Sequence, residues 1–130
     1  GSYTFMILSL LYPEIKLEAM SFHQDHVHPY TGFDNKKIKA LNLDKDTIAK
    51  WQSMRNKLPN LELLQGSENE SKNAMQLKER LAKGNKVKFM PDGISTEFKD
   101  FEKFYEEREK IMKNELSSIL GVVENNIKSE

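Results

Sequence analysis

The residues of this sequence with chemistry to offer are one carboxylate, one imidazole and two carboxamides. Asp25 and His26 are adjacent within Phe22-His23-Gln24-Asp25-His26-Val27-His28-Pro29, where the proline ends a strand-like run and leaves both at its junction with a loop. Asn60 opens a second stretch, in which the apolar Leu61 to Leu64 gives way to a Gly66-Ser67 turn and then to Asn69 at the mouth of a helix. Carboxylate and amide oxygens are donors that a hard divalent cation accepts, and an imidazole takes up a proton near neutral pH. With a second carboxamide to orient the base, the set suffices for metal-assisted phosphodiester hydrolysis.

Several elements must bring these residues together. Tyr3 to Tyr12 is almost entirely apolar and reads as a buried helix ended by Pro13. Ile15 to Phe22 alternates loosely and reads as a strand entering the site, and Tyr30 to Leu43 as a loop carrying Lys36, Lys37 and Lys39. Asp44 or Asp46 caps a helix to about Asn56, with Ile48, Trp51 and Met54 on one face. Pro59 stops it and delivers Asn60 into a second strand whose Leu61, Leu63 and Leu64 supply core. A helix from about Glu68 to Lys83 turns Met75, Leu77 and Leu81 inward and ends at Gly84-Asn85. Lys86 to Gly93 connects it to a last helix capped by Ser95 or Thr96. There Phe98, Phe101, Tyr105, Met112, Leu116 and Ile119 form a packing stripe, Gly121 closes the helix, and Glu124 to Glu130 is a frayed polar tail.

At 130 residues the chain is long enough for one modest core and too short for two. Its 38% hydrophobic and 31% charged residues suit a soluble globular domain, and no apolar run is long enough to span a bilayer. Gly1-Ser2 has the look of a cloning scar on a domain excised from a longer protein. Without cysteine there is neither a disulfide nor a cysteine-ligated structural zinc, so packing alone must hold the site. Twenty basic residues balance twenty acidic ones, so affinity for nucleic acid cannot come from bulk charge. The stretch from Lys72 to Lys88, with six basic residues against Glu79, is the one local concentration.

The pattern Asp25-His26-x-x-Pro29, then Asn60-Leu61-x-x-Leu64, then Asn69 and Lys72, resembles an HNH nuclease of the ββα-metal (His-Me finger) class. More narrowly it is similar to the C-terminal nuclease domain of Gmr-type, modification-dependent restriction proteins, a likeness that also takes in Leu10-Leu11-Tyr12-Pro13 and Met90-Pro91-Asp92. The resemblance implies an α+β, mostly helical fold in which a small ββα-metal finger packs among flanking helices. It implies a single nuclease domain over residues 3–123, with the finger at about 17–84 and the last helix at about 96–120.

Its further implications are functional. Asp25 and Asn69 hold the metal, Mg²⁺ or Mn²⁺ by the hardness of their oxygens, with Asn73 one helical turn on as the alternative to Asn69. His26 is the general base and Asn60 orients it. Lys72, Lys78 and Arg80 contact nucleic acid, and His28 is a possible auxiliary. The substrate is DNA, the setting a cytoplasmic bacterial restriction or antiphage protein, and the partner an N-terminal nucleotide-hydrolysing domain that selects the target. Bland readings stand beside these: an Asp-His pair is commonly structural, Asn69 can simply cap its helix, and Lys72 can be an ordinary surface lysine. The competing function is a catalytically degenerate HNH-like module that binds nucleic acid or protein.

Overall fold

The computed structural model describes residues 2–15, 22–65 and 75–128. The fold is α+β and mostly helical: one antiparallel hairpin, β1 (Phe22–His26) with β2 (Leu61–Gln65), packs among five described α-helices. Those are α1 (Ser2–Leu11), α2 (Asn35–Lys39), α3 (Lys45–Met54), α4 (Leu77–Ala82) and α5 (Phe101–Lys128). The hairpin register sets Asp25 opposite Glu62 and His26 opposite Leu61.

Local chemistry accounts for most of the element ends. Asp44 caps α3 as its sequence position predicts, its Oδ1 accepting from Thr47 N at 2.7 Å, and that hydrogen bond holds the carboxyl below the usual carboxylate range. Pro59 sits in a 3₁₀ turn (Leu58–Asn60) that feeds Asn60 into β2. Gly84 takes the left-handed conformation, φ +87°, that ends α4.

Four expectations change. The strand expected over 15–22 lies instead at Phe22–His26, so Asp25 and His26 are themselves strand residues; 16–21 lie outside the described residues. The expected loop from Tyr30 holds a 3₁₀ turn (Tyr30–Phe33) and α2, because Phe33 and Ile38 are fully buried anchors that a solvated loop would waste. Helix α1 ends before Pro13 as expected, but it is two-faced: Leu8 and Leu11 are buried while Tyr3, Met6 and Leu10 are exposed. Gly121 does not close the last helix, which runs on to Lys128. A lone glycine inside a helix costs only about 1 kcal/mol relative to alanine, and the helical neighbours on both sides carry the ladder through it.

Two apolar clusters flank the hairpin. Val27, Phe33, Ile38, Trp51, Met54, Leu77, Phe101 and Phe104 form the larger. Leu8, Leu11, Tyr12, Leu61, Leu63 and Met112 form the smaller, so α5 contributes to both. Its buried positions Phe101, Phe104, Tyr105, Arg108 and Met112 share one helical stripe, and the stripe therefore carries a guanidinium through the core. Arg108 Nη1 donates to Pro59 O at 2.9 Å and Leu61 O at 2.7 Å, and Nη2 to Tyr12 Oη at 3.1 Å and Lys88 O at 3.0 Å. One side chain thus ties the end of α1, the start of β2 and the Lys88 turn to α5. Burial lowers the Arg108 pKa and pushes the Tyr12 phenol up to about 12.

Candidate active site

The mouth of the hairpin is built by a buried carboxamide. Asn60 is fully buried; its Oδ1 accepts from His28 N at 2.9 Å, and its Nδ2 donates to His28 O at 3.1 Å and to Arg55 O at 3.0 Å. Its backbone oxygen also accepts from Val27 N at 2.8 Å. A single amide therefore fixes the chain leaving β1 against the chain leaving α3. The sequence reading gave Asn60 the task of orienting His26, and it does so through the backbone that follows the histidine. The hydrogen bond to the imidazole comes instead from Asn56, whose Oδ1 lies 2.8 Å from His26 Nε2.

Asp25 and His26 stand side by side at this mouth, each 23% exposed, with Asp25 Oδ1 3.9 Å from His26 Nδ1. Asp25 Oδ1 accepts the backbone N–H of His26 at 2.7 Å, which sets the carboxylate beside the ring. On another side Tyr30 meets the imidazole edge-on at 5.5 Å between centroids. Tyr30 is in turn held by Arg55, whose guanidinium carbon lies 3.9 Å from the phenol ring centre and whose Nη2 donates to Tyr30 Oη at 2.9 Å. The Asp25 carboxylate is a hard oxygen donor at the accessible end of the hairpin, which fits a hard divalent cation. The second ligand, Asn69 or Asn73, lies outside the described residues, and so does Lys72.

The remaining predicted residues are placed differently from expectation. Arg80 is buried, 3% exposed, and its Nη1 and Nη2 donate to Glu62 Oε2 and Oε1 at 2.5 and 2.9 Å. It faces the core side of β2 and is saturated by a carboxylate, so it is a structural cation and not a nucleic-acid contact. Lys78 is exposed, but its Nζ donates to Glu97 Oε1 at 2.6 Å, an interaction that raises its pKa. Lys83 and Lys88 likewise pair with Glu79 and Glu14, so much of the basic stretch is answered by carboxylates.

His28, expected as a possible auxiliary, is instead a core aromatic. It is wholly buried against Phe98, Phe101 and Phe104, with centroids at 5.8, 5.4 and 4.7 Å. Neither ring nitrogen has a hydrogen-bond partner among the described residues, and burial holds the imidazole pKa down to about 4.

Sequence reasoning passed over Asn56, Tyr30 and Arg55 at the mouth, and Glu62 and Arg108 behind it. Arg108 had a signal, a charged residue at the buried spacing of an apolar stripe. Asn56 had none, since an exposed amide at a helix end is ordinary. No protein-family model matches this sequence, and a search of curated proteins gives no match. Among the described residues no helix is long and apolar enough to cross a membrane.

Proposed function

We propose that this chain is a metal-dependent DNA endonuclease of the HNH class, serving a cytoplasmic bacterial restriction or antiphage protein whose nucleotide-hydrolysing domain selects the target. The observation that carries the reading is the Asn60 clamp. A buried amide that bonds His28 N, His28 O and Arg55 O costs a desolvated polar group for each bond lost, and its effect is to hold His26 and Asp25 together at an accessible edge. His26 accepts the proton of the water that attacks phosphorus, and the neutral imidazole becomes imidazolium as the phosphorus to 3′-oxygen bond breaks. Asp25, with Asn69 or Asn73, would hold Mg²⁺ or Mn²⁺, which when bound supplies positive charge for the phosphate oxygens and the departing 3′ oxygen. The products are a 5′-phosphate and a 3′-hydroxyl.

The pairing of the basic stretch with carboxylates favours one other reading, an HNH-like module that has lost cleavage and binds a partner. Incubating the chain with supercoiled plasmid in Mg²⁺, Mn²⁺ or EDTA, then labelling the ends, separates the two. Nicks that need metal and carry 5′-phosphate support the nuclease; an intact plasmid beside a folded chain supports the binding module.

A further inference from the structure

The hydrogen bond between His26 and Asn56 carries a consequence for which nitrogen does the work. An amide oxygen can only accept, so Nε2, 2.8 Å from Asn56 Oδ1, must carry the ring hydrogen. The other tautomer would set the Nε2 lone pair against that oxygen. With Nε2 protonated, the lone pair that can take a proton is on Nδ1, the nitrogen 3.9 Å from Asp25 Oδ1.

Asn56 is well supported for such a role. It follows α3, which is anchored by buried Trp51 and Met54 and by the hydrogen bond from Trp51 Nε1 to Glu102 Oε1 at 3.0 Å. The residue before it, Arg55, is fixed twice, through its carbonyl to Asn60 Nδ2 at 3.0 Å and through its guanidinium to Tyr30 Oη at 2.9 Å. Since the same Asn60 amide also holds His28, both ends of the pair between His26 and Asn56 hang from one buried group. Tyr30 closes the ring from the side at 5.5 Å.

We infer that Asn56 is a positioning residue: by accepting from Nε2 it fixes the His26 tautomer and aims the Nδ1 lone pair toward the Asp25 side of the site, where the attacking water is deprotonated. The inference rests on the nuclease reading for its chemistry, but the tautomer itself can be read without any cleavage.

The test uses the metal-free chain labelled with ¹⁵N-histidine, at a pH where the imidazole is neutral. Wild type is expected to show a pyrrole-type Nε2 and a pyridine-type Nδ1 at His26. Asn56→Asp, whose carboxylate can also only accept, should keep that signature, whereas Asn56→Ala should lose it and show a mixture of tautomers. Because Asn56 is exposed, the backbone amide spectra of both variants should stay native apart from residues near the hairpin mouth. On plasmid, Asn56→Ala should lower kcat about 10- to 100-fold with KM little changed, and Asn56→Asp should recover most of it. A wild-type Nδ1–H tautomer, an unchanged signature in Asn56→Ala, or an Asn56→Asp variant as impaired as Asn56→Ala would each overturn the inference. Absence of cleavage by wild type with the expected signature present would overturn the nuclease reading and leave the positioning of His26 by Asn56 standing.

Discussion

The polar groups behind the hairpin and those at its mouth are built from similar residue types but are held in opposite ways. Behind it, Arg108 spends its two terminal nitrogens on three carbonyls and a phenol, and Arg80 meets Glu62 as a two-bonded pair, all out of water. At the mouth, Asp25 and His26 are each 23% exposed and lean on Asn56 and Tyr30 at element ends. The buried set fixes where strands and helices meet; the half-exposed set keeps a carboxylate and an imidazole within reach of solvent. Charge alone does not tell these apart, because a basic residue in a basic stretch proves to be a core ion pair. Burial and saturation of partners separate structure from chemistry here.

That contrast can be broken from either side. The largest expected effect is on rate: His26→Ala should cut plasmid cleavage by about two to four decades while leaving the urea midpoint near wild type, since the ring is not part of either core cluster. Next, Arg108→Ala should cost about 3–5 kcal/mol of stability in urea unfolding, because the carbonyls and phenol it served stay buried. The Glu62 and Arg80 pair sharpens the point. Arg80→Leu alone should be destabilising by a similar amount, about 3–5 kcal/mol, whereas Glu62→Leu with Arg80→Leu should return most of the loss.

His28 supplies a pH test of burial. Its folded pKa of about 4 lies below the ordinary imidazole value of about 6.5, so the unfolded chain binds the proton first. The stability tied to keeping it neutral is therefore complete above about pH 6.5 and is lost as pH falls toward about 4, by about 3 kcal/mol in total. His28→Phe, which keeps an aromatic among Phe98, Phe101 and Phe104, should flatten that part of the pH curve. The smallest effect expected is in α5, where a methyl at Gly121 meets nothing within 4 Å. Gly121→Ala should stabilise by about 0.5–1 kcal/mol, read as a small rise in the thermal midpoint.

Much of the scaffold was legible in the sequence. The cap at Asp44, the stop at Pro13, the leucines of β2 and the left-handed Gly84 follow from local rules, and the structure has each of them. The mouth was legible only in part. Asp25, His26 and Asn60 declare themselves by type and spacing, but which side chain meets the imidazole depends on how α3 packs against the hairpin, and no local pattern encodes that. Arg80 and Glu62 were misplaced for a related reason. They are 18 residues apart, and their bond exists only because α4 returns across β2. Gly121 shows the limit of punctuation by glycine, since a helix already propagating continues through one poor residue.

The central claim is that the imidazole at the mouth of the hairpin is a general base acting on a phosphodiester. Supercoiled plasmid incubated in Mg²⁺ with wild type and with folded His26→Ala tests it most directly, with EDTA as the control. The account predicts nicking by wild type, none in EDTA, and a loss of about two to four decades in His26→Ala. Equal nicking by wild type and His26→Ala would contradict it.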